Sequence, residues 1–367
     1  MRYVTLGGHL DKKRTMQITE LLKLTKWFKD IVVGKKIPTK YQQLFNQMNQ
    51  NVRANTNQTK QPFDQQKDNL FQALQEISLS SLTIEQIKFL EQLEIKDLLG
   101  IEGIEKINKV LYDNNLDIAA ATKKIEEFNT KITKANQTIT EIETTLLKSF
   151  TLEEDEELPE KSVMMRIYFQ DEVAINNISD FKKLASIWYD IGRGISMAQD
   201  KSPEDFKVIG AQKGSVIIEL AVLAGLATSV STILLEGLKV AERVMEILKK
   251  AEELKQLKLS NQKIEKELRK EAEDEKKNGI NTILETAIHK LKLENGKDGD
   301  KITSLEKSIT KLIEFTQKGG AVDFIQPNGD ENTEEEYGRS DILQLKENVN
   351  AIRQLEDKIK KIESKLN

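Results

Sequence analysis

The chain has 367 residues, of which 38% are hydrophobic, 5% aromatic and 32% charged. That length predicts two or three domains, while so little apolar and aromatic content is poor material for one large core and suits long helices that bury a narrow seam. The 56 basic and 60 acidic residues leave a mixed-sign surface of net charge −4, which removes global support for nucleic-acid binding, and the lack of cysteine excludes disulfides, thiolate zinc sites and thiol catalysis.

Only five prolines interrupt the chain, so long stretches are free to be helical. Met1 to His9 carries no apolar run after Arg2, so no signal peptide is expected and a cytoplasmic protein is the default. The abundance of Lys, Asn, Ile and Glu fits an AT-rich bacterial genome.

In chain order, residues 12–33 read as a first helix with an apolar stripe from Met16 to Ile31, closed by Gly34. Ile37-Pro38 opens a short second helix bearing Tyr41, Leu44, Phe45 and Met48. The polar stretch 49–62 reads as a loop, and a third helix follows from Phe63 to Ile77. Thr83 and Gln86 have the form of a capping box, opening a helix that ends at Gly100. After Asp117, Ile125, Phe128, Ile132, Ala135, Ile139, Ile142 and Leu146 recur at spacings of three and four, a coiled-coil seam. Its simplest use is packing within the chain; self-association is the alternative. Residues 1–150 are thus expected to form an N-terminal helical domain.

The acidic run 153–157 reads as a linker. Beyond it the period changes to two: Val163, Met165, Ile167 and Phe169 alternate with more polar neighbours, predicting a strand. Ser179 is then expected to cap a helix bearing Phe181, Leu184, Ile187, Trp188 and Ile191, closed by Gly192 and Gly194. Extended pieces at Phe206–Val208 and Val216–Leu220 complete a small β-α-β-β unit over residues 160–222. Gly210 and Gly214 lack the spacing of a phosphate loop and read as turn glycines. A long helical hairpin is expected over 223–318, with Val240, Val244 and Ile247 on its seam, a register slip near Leu257 and a break or bend at Gly279. Residues 319–327 predict an extra edge strand. After an acidic linker, Ser340 is expected to cap a C-terminal coiled-coil helix over 340–367, with Ile352, Ile359 and Ile362 on its seam. The fold class is therefore mainly α: long helices and antiparallel coiled-coil hairpins with a small inserted α/β unit.

No catalytic constellation emerges. The two histidines, His9 and His289, are far apart, and His289 reads as a surface or boundary residue. Glu219 is the one carboxylate in an apolar run, and strand alternation points it to solvent. No catalytic residue, cofactor or metal is expected, and an enzyme is not predicted. The heptad seams instead predict a helical scaffold that oligomerises or binds protein partners, of a size and pattern that would suit a subunit of a bacterial, anti-phage-type assembly. Local Lys clusters such as Lys35-Lys36 and Lys249-Lys250 are flanked by acids or lie on a wet helix face, so nucleic acid is not an expected partner.

Residues 216–235 are twenty in number with only Glu219 charged, the borderline length of a membrane span. Leu220, Leu223, Leu226, Val230, Ile233 and Leu234 are accordingly candidates either for a buried strand and helix or for contact with lipid. In architecture alone, this alternation of long helices around one apolar segment resembles α-helical pore-forming toxins. That resemblance implies a membrane-active alternative; the β-α-β-β unit departs from it.

Overall fold

The computed structural model describes residues 16–54, 61–114, 117–150, 158–159, 161–212, 216–256, 262–294, 296–325 and 339–363. The chain divides into two compact units, Thr15–Glu156 and Glu157–Asn367. It is mainly α with a small four-stranded antiparallel sheet.

The first unit contains α1 (Ile18–Trp27), α2 (Ile37–Arg53), α3 (Asp64–Gln75), α4 (Ile84–Gln92), α5 (Gly100–Asp113) and α6 (Ile118–Leu146). The expected helix over 12–33 proves to be α1 continued by a wider π turn, Phe28–Val33; residues 12–15 lie outside the described residues. Helix α2 runs on to Arg53, beyond the expected loop boundary. There Asn51 is buried and clasps Gln61, donating to its carbonyl at 2.6 Å and accepting from its amide at 2.9 Å. Gly100 opens α5 with φ +63 instead of closing α4, a left-handed conformation that costs glycine little.

The capping box of α4 forms, and it also joins this helix to α1. Thr83 donates its hydroxyl to the buried Glu20 carboxylate, and Gln86 Nε2 donates to the Glu20 carbonyl at 2.9 Å. Tyr41, fully buried, donates to the Leu98 carbonyl at 2.8 Å; burial, then the nearby Asp97, push its phenol well above the usual range.

The second unit runs β1 (Ser162–Phe169), α7 (Ile178–Met197), β2 (Phe206–Gln212), β3 (Val216–Leu223), α8 (Ala224–Gln256), α9 (Gln262–Lys290), α10 (Gly299–Gln317), β4 (Ala321–Ile325) and α11 (Arg339–Glu363). Sheet order is β2-β3-β1-β4, so the short strand after the paired glycines joins β1 at the far edge. Val163, Met165, Ile167 and Phe169 share one sheet face with Leu220, Val222, Val322 and Phe324. This face packs on α7 and α10, where the Phe315 ring meets Phe169 and Trp188 edge-on at 5.6 and 5.2 Å.

Two expectations for α7 fail. Its cap is Asn177, which accepts from the Ser179 and Asp180 amides, two residues before the expected Ser179. The helix also passes through Gly192 and Gly194 to Met197, because both glycines serve close approach: Gly194 lies against Ser304 and Ser308 of α10, and Gly192 against the Phe206 ring. Gly279 likewise does not break α9. It lets Val240 of α8 come close.

The apolar stretch 216–235 is split between β3 and the first three turns of α8. Three of its small polar residues face α11, and a fourth, Ser229, accepts from Gln199. Thr228 donates to the Asp341 carbonyl at 2.9 Å, and Asn348 Nδ2 donates to Ser231 and Thr232, each at 2.9 Å. Helix α8 is the one described helix long and apolar enough to cross a membrane by length and composition, and 61% of its most apolar window is buried inside the chain.

Candidate interaction surface

The seam residues lie inside their own units. Ile125, Phe128, Ile132, Ala135 and Ile139 of α6 are buried, largely against α2, with Ile142 half-buried. Val240 is buried and Val244 and Ile247 half-buried on α8, which packs on α9 and α11. Ile352 and Ile359 are buried in the same core and Ile362 is half-buried. Of the apolar candidates, Leu220, Leu226, Val230, Ile233 and Leu234 are buried and Leu223 is half-buried. Leu257, the 153–157 run and Gly214 lie outside the described residues.

Glu219 does not point to solvent. The sheet face opposite α7 and α10 is covered as well, with Tyr168, Ala221 and Asp323 all buried. On it Glu219 accepts from Arg166 at 2.7 Å across β3 and β1, Arg166 stands opposite Asp323 in register, and Asp323 accepts from Arg353 of α11 at 2.9 Å. Three alternating charges thus cross the sheet in one row, and Arg353 from α11 extends it. Alternation was read correctly along β3; what was missed is that both faces are covered. Each charge has an opposite neighbour, as buried ions require.

Other chemistry is sparse. Among the described residues no three or more His, Asp or Glu gather as a group able to hold a metal. His289 is exposed. A small open cleft lies between the start of α7 and the end of α10, with Val173, Leu184 and Phe315 on its floor and Lys183, Lys311 and Lys318 among its charges. Lys311 is held by Asp190, which also pairs with Lys307 at 3.2 Å; Lys311 first, then Lys307, keep that carboxyl below the usual carboxylate range.

Five of the large exposed apolar side chains lie on α7 and β2. Helix α7 directs Leu184, Trp188, Ile191 and Ile195 at the sheet and Asp190 and Gly194 at α10. Ile178, Phe181, Ala185 and Tyr189, at spacings of three and four, fall on a third flank, the one that includes Gly192. Because Gly192 meets Phe206, this flank overhangs β2. Phe181 was expected on the core side, yet it is 44% exposed, with Ile178 at 81% and Tyr189 at 57%. Below, Val208 shares a strand face with Phe206 and is 70% exposed; a bulge between Val208 and Gly210 leaves Ile209 exposed too. Helix flank and edge strand together form an apolar ledge.

Sequence reasoning missed this surface because it assigned α7 a single apolar side. The available signal was a second stripe on the same helix, Ile178-Phe181-Ala185-Tyr189, displaced from Leu184-Trp188-Ile191-Ile195. Compared with protein-family models, curated proteins and solved structures, the chain matches none.

Proposed function

We propose that this chain is a non-catalytic interaction protein, a subunit of a larger bacterial assembly, which engages a protein partner through the ledge formed by α7 and β2. One observation supports this: large apolar side chains stay accessible on α7 and β2, while Ile125, Phe128, Ile132, Ile139, Val240, Ile352 and Ile359 of the seams are covered by their own chain and the remaining seam residues are half-buried. A binding face needs apolar surface that is still in water. The expected seams therefore build the scaffold, and the partner meets α7 and β2.

A photocrosslinking residue at Tyr189, introduced in the producing cell, tests this. A discrete protein adduct is expected from position 189, lost when Ile178→Ser and Val208→Asp are combined. The control is Tyr112, 78% exposed on α5. No adduct at 189, or the same adducts at both positions, overturns the proposal.

The membrane-active alternative has the length and apolarity of α8 in its favour. It requires α11 to leave α8. A disulfide between Ser231→Cys and Asn348→Cys, clean in a chain without cysteine, would then abolish vesicle association that the reduced protein shows. Reduced protein that stays off vesicles sinks this alternative.

A further inference from the structure

Resting on that reading, we infer that the ledge takes an extended acidic segment of the partner, which adds to the sheet as a fifth strand along β2. Three features of the surface converge on this occupant.

The first is the strand edge. Among the described residues β2 pairs with β3 alone, leaving its other edge with backbone donors and acceptors to offer. β2 spans seven residues, so the added strand would be about five to seven residues long. The second is the overhang. A strand laid along β2 alternates its side chains. Those on the Val208 side meet the flank of α7 that carries Phe181, Ala185 and Tyr189 and are therefore apolar. Those between them fall on the opposite face, with Lys207.

The third feature is charge. Lys207 lies on the face of β2 that those alternate side chains reach, while Lys182 and Arg193 continue the exposed side of α7 beside Phe181 and Tyr189, turned away from the sheet, and favour an acidic segment at longer range. All three are exposed, and none has an ion pair among the described residues. Of the nearby acids, Asp190 is paired with Lys307 and Lys311, while Asp180 and Asp205 accept from the Asn176 and Ser202 amides and keep their charge near the ends of the ledge. Glu204, exposed just before β2, bounds this cationic rim at one end. The rim attracts an acidic segment. It also disfavours a second copy of the chain, since two-fold pairing of β2 with β2 would bring both sets of cations together, and the bulge at Ile209 already blunts flat self-pairing.

The full-length protein should be titrated by fluorescence anisotropy with a labelled heptapeptide alternating Glu and Val. Two controls accompany it: the same peptide with Lys for Glu, and one with Pro for the central Val. The Glu peptide is expected to bind at least about tenfold tighter than the Lys peptide, and to weaken with added salt. The Pro peptide should bind poorly, because it lacks a ladder donor. Hydrogen exchange at residues 206–212 should slow only with the Glu peptide. The triple variant Lys182→Glu, Arg193→Glu, Lys207→Glu should invert the preference, a result that an unfolded protein cannot give. Equal affinity for both charges, unchanged exchange in β2, or self-association abolished by Val208→Asp overturns the inference. If the Tyr189 adduct persists while the Glu peptide shows no preference, the acidic strand fails and the interaction face stands; loss of the adduct removes the face itself.

Discussion

The pair Arg353–Asp323 closes a row of charges in which every ion depends on its neighbours. Asp323 is 3% exposed and the Arg353 side chain 17%. Asp323→Ala should therefore lower stability by about 3–5 kcal/mol, since Arg353 loses a buried counter-charge. Asp323→Val combined with Arg353→Met should cost clearly less than the two single changes added together, as coupled sites do. Urea denaturation of the four proteins checks this, and additive losses would show that the pair is not coupled. Asp190 gives a pH prediction with a definite sign. Its folded pKa is depressed from an ordinary 3.8, so its contribution is present above that value and lost as pH falls through the folded one. Below about pH 4, wild-type protein should lose stability more steeply than Asp190→Asn; parallel acid-denaturation curves would refute the role of the Lys307 and Lys311 contacts.

At the level of elements, glycines in helices carry much of the information. Isolated Gly192 and Gly194 resemble a helix end, yet both belong to a helix that continues because two neighbours need the room. Gly194→Ala would drive a methyl group into Ser308 Oγ and the Ser304 carbonyl, and overpacking at this crossing should cost about 1–3 kcal/mol. Gly192→Ala meets only the Phe206 ring, at 3.4 Å. The gain in helix propensity, up to about 1 kcal/mol, should make it neutral or mildly stabilising. The thermal midpoint should fall for Gly194→Ala and hold or rise for Gly192→Ala; equal destabilisation would mean that helix α7 is not packed as described. The same helix shows why the candidate surface was hard to read. A stripe of Ile, Phe, Ala and Tyr on a helix normally marks the core side, and α7 carries two such sides. Only the sheet beneath Leu184 and Trp188 determines which one is buried.

For the whole molecule, the two units have separate cores, one centred on α2 and α6 and the other on the sheet with α8, α10 and α11. A fragment of residues 16–150 should therefore keep its helical circular dichroism and melt cooperatively. A gradual, non-cooperative melt would show that it depends on the rest of the chain. Much of this architecture was legible locally. Composition excluded a single large core, spacings of three and four located α6, α8 and α11, and alternation located β1. Those signals are carried by neighbours along one element, so the sequence determines them unaided. What lies across from each element is another matter. That Glu219 faces Arg166, that Thr228 and Ser231 sit under α11, and that Phe181 and Val208 remain in water all depend on chain segments up to more than a hundred residues away. The sequence determined which residues are apolar and at what period; only tertiary packing decided which apolar stripes are covered, because burial belongs to a pair of surfaces and not to either one.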